Sequence, residues 1–358
     1  MGQFAERYRG RRVLVTGHTG FKGSWLTAWL VELGAEVTGV SLPMEADGDA
    51  RLWTALQLPV TDLRGDIRDA EFLRGVVAVQ RPEIVFHLAA QSLVRPSYRD
   101  PLLAWSSNVM GTANVLEACR QVEGVEAVLV VTTDKVYENH EWSWGYRESD
   151  GLAGHDPYSA SKAATELLCD SYRKSFWQER GPLLATARAG NVIGGGDWAE
   201  DRLIPDLVRA VQAGRELEIR SPSATRPWQH VLECLSGYLL LGQRLLEGDR
   251  ACAEAWNFGP SPEANRPVAQ VLDALQRHWP ALGWRATSSD GLHEAQLLYL
   301  DSAKARARLR WTPVWALETA LEITADWYRR DLAGEGPATF EQLKRFGEAA
   351  RQAECVWA

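Results

Sequence analysis

Arg12-Val-Leu-Val-Thr-Gly-His-Thr-Gly-Phe-Lys-Gly23 decides the fold: a short apolar strand runs straight into a glycine turn, and an amphipathic helix, Ser24 to Leu33, follows. Glycines let the backbone approach a pyrophosphate, and the first turn of the helix points its free N–H groups at the anion. Strand, glycine turn and helix in that order are the context of a phosphate-binding loop, with Gly17, Thr19, Gly20, Phe21, Lys22 and Gly23 as the expected dinucleotide contacts. The plainer alternative is a tight turn and nothing more.

Working outward, a second strand spans Glu36 to Leu42. About 20 residues after the glycines an acid is expected for the adenosine ribose, but the strand tip reads Val40-Ser-Leu-Pro43, so Ser41 stands where that acid would be. No arginine is there to favour a phosphorylated ribose, so NAD is expected over NADP. Asp66 and Ile67 close a short third strand and are placed to flank an adenine. The fourth strand, Ile84 to Leu88, runs into Ala89-Ala-Gln91, where Leu88, Ala89 and Ala90 leave room for a flat ring and its phosphates and Gln91 turns towards a substrate. His87 is read as a packed strand histidine. A helix from Ala104 to Val122 carries Asn108, a polar residue that needs a partner if it faces the sheet.

A second stretch carries the chemistry. Ala127-Val-Leu-Val-Val131 reads as a fully buried strand that ends in Thr132-Thr-Asp-Lys-Val-Tyr137, so polar groups emerge at a strand tip. Asp156-Pro-Tyr-Ser-Ala-Ser-Lys162 starts a helix, with Asp156 as N-cap and Pro157 where a missing N–H costs nothing. Tyr158 and Lys162 then share a face, and an ammonium beneath a phenol lowers its pKa from about 10 towards a usable base. Taken alone, the pair is equally a surface tyrosine and a surface lysine that share a face.

The chain has 358 residues, enough to bury a sizeable core in one large domain or two smaller ones. A net charge of -8 argues against nucleic acid as the main partner, leaving local arginines to hold any anionic ligand. Five scattered cysteines without a Cys-x-x-Cys pair suggest neither disulfides nor zinc, and no membrane-spanning run is seen, so a cytoplasmic, soluble protein with no membrane partner is expected. The sixteen tryptophans lie scattered along apolar helix faces and are read as core.

Strands alternating with helices up to Leu183–Ala189 call for an α/β fold, a Rossmann-like doubly wound parallel sheet. We expect residues 1–189 to form the dinucleotide-binding domain, with about 231–260 returning to it. Residues 190–230 and 261–333 would form a smaller C-terminal α/β substrate-binding domain, and 334–358 a polar tail or helix. Arg226 is the expected diphosphate grip, with Asn191 and Arg202 beside it and Arg188 and His293 as weaker choices. Each of these arginines is otherwise a solvated salt bridge. Asp197-Trp198 and Gln229-His230 would border the nucleotide base.

With these motifs in order, the chain resembles the extended short-chain dehydrogenase/reductase superfamily over nearly its full length. Thr-Gly-His-Thr-Gly-Phe-Lys-Gly at 16–23, His-Leu-Ala-Ala-Gln at 87–91, Thr-Thr-Asp-Lys at 132–135, Arg-Ala-Gly-Asn-Val-Ile-Gly-Gly-Gly-Asp-Trp at 188–198 and Arg-Pro-Trp-Gln-His-Val at 226–231 are similar to the CDP-glucose 4,6-dehydratases within it. The resemblance implies a lyase with tightly held NAD that is reduced and reoxidised in each turnover, a CDP-hexose substrate, a 4-keto-6-deoxy product for deoxysugar biosynthesis, and a homodimer or homotetramer.

It implies Tyr158 as base at the 4-hydroxyl, Thr133 as a hydrogen-bonding partner of the reacting oxygen and Lys162 as holder of the ribose. Asp134 would be the acid that releases the 6-hydroxyl. Related hexose dehydratases place a glutamate where Lys135 stands. Lysine there points to the cytidine branch and leaves Lys135 to take the carbon 5 proton if desolvated, to position water or sugar, or to mark a loss of elimination. Two other readings use the same scaffold: a nucleotide-sugar 4-epimerase, which does not need Asp134 as an acid, and a non-catalytic dinucleotide-sensing protein.

Overall fold

The computed structural model describes residues 2–44, 50–287 and 297–358. Its strands are β1 (Arg12–Thr16), β2 (Glu36–Ser41), β3 (Thr61–Arg64), β4 (Ile84–His87), β5 (Ala127–Val131), β6 (Leu183–Ala189), β7 (Asn191–Ile193), β8 (Leu217–Ile219), β9 (Thr225–His230), β10 (Ala255–Phe258), β11 (Asn265–Pro267) and β12 (Trp284–Ala286). Seven of them form one parallel sheet in the order β10-β6-β5-β4-β1-β2-β3. The order reverses between β1 and β4, and a ligand crevice opens outside the carboxyl ends of such strands.

The apolar runs of β1 and β5 are buried because both faces of the sheet are covered. Side chains alternate between the faces: Val13, Val15 and Leu129 pack with Trp25, Trp29 and Leu239 on one side, and Leu14, Val128 and Val130 with Val76, Leu116 and Leu184 on the other. Helix Val231–Leu246 and β10 return to this body, since β10 pairs with β6 as the edge strand.

The remaining elements form two small sheets, β11-β9-β7 and β12-β8, with helices Leu203–Gln212, Val268–His278 and Leu317–Leu332. Helix Thr339–Gln352 is not the polar tail expected from its charges: Leu343, Phe346 and Ala350 form an apolar stripe that is buried. Trp357 beyond it stacks on Phe4 at 5.1 Å and on Phe346 at 5.7 Å, closing the two ends of the chain together. Among the described residues no helix is long and apolar enough to cross a membrane, and no group of His, Cys, Asp and Glu is arranged to hold a metal ion.

Candidate active site

The end of β5 builds the centre. Thr133 leaves the strand in an extended conformation, and its hydroxyl caps the single helical turn Asp134–Val136, accepting the Lys135 N–H at 3.4 Å. The same hydroxyl donates to Asp134 Oδ1 at 3.0 Å, and Lys135 Nζ lies 3.2 Å from that oxygen. Asp134 is buried, yet its Oδ2 has no hydrogen-bond partner. Gly190, just past β6, faces that bare oxygen: a Cβ there would stand 3.1 Å from Oδ2 and 2.7 Å from Pro227 Cγ. Lys135 is a third exposed and paired with Asp134, so it is not the desolvated lysine that a carbon 5 base was expected to be.

Helix Pro157–Ser175 brings the second half. Asp156 caps it by accepting the Ser159 N–H at 2.9 Å, with Pro157 in the first turn. Tyr158 and Lys162 are both buried on its inner face, and Lys162 Nζ donates to Val131 O at 3.0 Å. Burial pushes the Tyr158 phenol up to about 12, while the Thr133 hydroxyl and then the Arg202 charge pull it down. The Lys162 charge is not among the largest influences on it. The Lys162 ammonium gives one of its three N–H groups to the β5 carbonyl, and burial, reinforced by the Lys22 charge, brings its pKa down to about 8.

The glycine loop lies at the carboxyl ends of β1 and β4. Gly17 has φ of 76°, and a Cβ on it would sit 2.7 Å from Ala89 N, so no other residue fits there. A Cβ on Gly23 would fall 2.0 Å from Gly17 O, which shows how tightly the loop is drawn onto its helix. Leu88 N–H bonds Thr16 O at 3.0 Å, holding Ala89 and Ala90 against the loop. Ser41 is buried; its hydroxyl accepts the Thr19 N–H at 3.3 Å and meets His18 Nδ1 at 2.9 Å, while His18 Nε2 meets Asp62 Oδ1 at 2.9 Å. Ser41 therefore clamps the loop. Asp66 is paired with Arg68 at 2.5 Å, and Ile67 lies against Gly111. Such a cradle, with room only for glycine beside Ala89, fits the pyrophosphate of NAD.

Asn108, left without a role by the sequence, is explained by a π-helical turn, Ser106–Met110, inside the helical run. The widened turn is a recognised device for aiming a side chain at a functional site. Asn108 accepts the Gln91 N–H at 2.8 Å and donates to Gln91 O at 2.9 Å and to Ser161 Oγ at 2.9 Å, tying the β4 exit to the Tyr158 helix. Lys22 also reaches further than a loop contact: its half-buried amine is lowered by burial and feels Cys234, Arg202, Asp134 and Lys135.

Most of the residues expected to hold substrate lie along the second unit, with Gln91 just past β4. Asn191 lies on β7 opposite Trp228, and Arg226 lies on β9 opposite Arg266 of β11. Arg202 Nη1 lies 3.0 Å from Asp197 Oδ2, and Gln91 Nε2 bonds Leu93 O at 3.0 Å. His293 falls outside the described residues.

Arg188 is not a diphosphate ligand: it is buried and bidentate to Glu166 at 2.9 and 3.0 Å. The expected base-bordering groups are buried, and each keeps one polar atom without a hydrogen-bond partner: Trp198 Nε1, Gln229 Oε1 and His230 Nε2. Trp198 packs edge-on to Tyr328 under the Arg51 guanidinium, Gln229 bonds Phe258 O at 2.9 Å, and His230 is buried as an N-cap, held near pH 3 by burial.

Residues 13–259 match the model of the NAD dependent epimerase/dehydratase family. The chain is 46% identical to a CDP-glucose 4,6-dehydratase of Salmonella typhimurium over 92% of its own length and 93% of that protein. Among solved structures, a dTDP-glucose 4,6-dehydratase of Streptomyces venezuelae with NAD bound is 28% identical, with TM-score 0.76 over 89% of this chain and 97% of that one. An epimerase of Methanothermobacter thermautotrophicus is 27% identical, with TM-score 0.80 over 93% and 96%. By sequence match over most of its length, by its strand order and by its glycine loop, this chain is a member of the NAD dependent epimerase/dehydratase family.

Proposed function

We infer that this protein is a lyase that converts CDP-D-glucose to CDP-4-keto-6-deoxy-D-glucose with loss of water. The observation that carries this reading over 4-epimerisation is Asp134: a buried carboxyl beside Thr133 and Tyr158 whose Oδ2 is left without a hydrogen bond. Elimination needs a proton donor at the 6-oxygen; inversion at carbon 4 does not. Identity of 46% to a CDP-glucose 4,6-dehydratase supports the same reading and its nucleotide.

The glycine loop, Asp66, Ile67, Ala89, Ala90 and Lys162 are the groups that would hold NAD, whose chemistry when bound is to take hydride from carbon 4 and give it back at carbon 6. Tyr158 accepts the proton of the 4-hydroxyl and Thr133 hydrogen-bonds that oxygen, fixing it against the phenol. The 4-keto group acidifies carbon 5. Asp134 would deliver a proton to the departing 6-hydroxyl, and Lys135, with Nζ 3.2 Å from Asp134 Oδ1, would position the sugar or a water that takes the carbon 5 proton. Arg226, Asn191, Arg202 and Gln91 would hold the diphosphate and sugar.

The protein, incubated separately with CDP-, dTDP-, GDP- and UDP-hexoses, is expected to remove one water from CDP-glucose, read by mass spectrometry. Absence of water loss with NAD added would overturn the assignment.

We also propose a dimer through helices Gly111–Gln121 and Pro157–Ser175 with their flanks, because Leu102, Leu103, Trp105, Met110, Leu167 and Phe176 are exposed there. A monomer in light scattering would remove that idea.

A further inference from the structure

We propose that Ser41, His18 and Asp62 form a relay that replaces the acid missing from the tip of β2, and that Asp62, one strand away, sets the preference for NAD over NADP. His18 and Asp62 are then positioning residues that act on the cofactor through Ser41. The proposal rests on NAD lying along the glycine loop, and deepens that assignment by naming what chooses the cofactor.

An acid at the tip of the second strand ordinarily takes hydrogen bonds from the adenosine ribose. Here Ser41 ends β2 beside the glycine loop, its hydroxyl accepting the Thr19 N–H at 3.3 Å. The ring of His18, from the loop itself, lies over Gly39 of β2, where a Cβ would stand 2.3 Å from it. Only glycine leaves that passage open. Through it the ring joins two strands: Nδ1 is 2.9 Å from Ser41 Oγ, and Nε2 is 2.9 Å from Asp62 Oδ1 on β3. Asp62 stands opposite Gly39 in the sheet register. Trp53 closes the arrangement, packing edge-on to the ring at 4.5 Å and donating from Nε1 to Asp62 Oδ2 at 3.3 Å.

Counting protons gives the relay its direction. A carboxylate offers only lone pairs, so His18 Nε2 carries the hydrogen that meets Asp62. Burial lowers the His18 pKa against the pull of Asp62, so the ring is neutral near pH 7 and Nδ1 is an acceptor. The Ser41 hydrogen therefore goes to Nδ1. Of the two lone pairs on Ser41 Oγ, one takes the Thr19 N–H, and among the described residues the other meets no donor. A hydroxyl committed in this way accepts, as the usual carboxylate does. It suits the 2′-hydroxyl of NAD, whereas the anionic 2′-phosphate of NADP needs donors and is offered a lone pair.

Asp62 has a second task. The register sets Arg64 opposite Ser41, and Arg64 Nη1 donates to Leu42 O at 3.3 Å. A guanidinium thus does stand at the tip of β2, brought there from β3. Asp62 Oδ2 holds its Nη2 at 2.6 Å, so the group best suited to grip a 2′-phosphate is already paired.

The test uses the full-length protein, freed of bound nucleotide and titrated by calorimetry with NAD and with NADP. Ser41→Ala is expected to weaken NAD by about tenfold, the worth of one hydrogen bond. Asp62→Ala is expected to weaken NAD by about fivefold and, by releasing Arg64, to tighten NADP by about tenfold. Asp62→Asn, which keeps an oxygen for the Nε2 hydrogen, is expected to restore most of the NAD affinity. An unchanged ratio of the two dissociation constants in Asp62→Ala would overturn the relay, and so would unchanged NAD affinity in Ser41→Ala or a parent protein that prefers NADP. A parent that binds neither dinucleotide would instead overturn the reading beneath it.

Discussion

Two buried carboxylates stand at the carboxyl end of the sheet, Glu166 at 2% exposure and Asp134 at 1%, and they are finished differently. Glu166 has every oxygen engaged: Arg188 grips both, Thr132 Oγ1 donates to one at 2.5 Å and Thr186 Oγ1 to the other at 2.6 Å. Burial alone would raise its pKa, but Arg188 and the two hydroxyls outweigh that and hold it below the usual carboxylate value. Asp134, in the turn after β5, has one oxygen bonded and one bare. A buried charge with complete partners is a piece of architecture, whereas one left incomplete is stabilised only when something else supplies the missing contact.

The comparison can be broken by mutation. Glu166→Gln should have the largest effect, lowering folding stability by about 3–5 kcal/mol because Arg188 is left as an unpaired buried charge. Its difference from the parent should fade with acid. Since the folded pKa lies below the unfolded one, the stabilisation is present above about pH 4.3 and is lost as pH falls through the folded value. Denaturant titrations from pH 7 to pH 3 read both effects.

Asp134→Asn should leave stability within about 0.5 kcal/mol and reduce water loss by about 10²–10³-fold, about 3–4 kcal/mol on the barrier. A large drop in stability with retained dehydration would reverse the roles assigned to the two carboxylates. Gly190→Ala should act more gently. The new methyl presses on Pro227 and on the bare Asp134 oxygen, so turnover should fall by about tenfold with a smaller change in KM. Unchanged turnover would mean that the oxygen is not in use.

Much of this was legible in the chain, and for stated reasons. The apolar run 127–131 followed by hydroxyls and charges could only be a buried strand with a polar tip, and the Asp156-Pro157 start fixed the phase of Tyr158 and Lys162 on the helix. The glycine loop was readable because φ of 76° at Gly17 and backbone contact at Gly23 leave no other residue possible. These are local constraints, carried by period, caps and glycine.

What the sequence could not settle is which partner each polar side chain would find. Arg188 and Arg202 look alike in a row of letters, but one is consumed by Glu166, 22 residues earlier, and the other lies between Asp197 and Ser92, residues from two units. Ser41 is a loop clamp because His18 reaches Asp62 across β2, and Lys162 donates to the Val131 carbonyl at the end of β5. Local propensity set strand, loop and helix; the pairing of charges in a low-dielectric interior depends on distances between distant segments, and those exist only once the chain has folded.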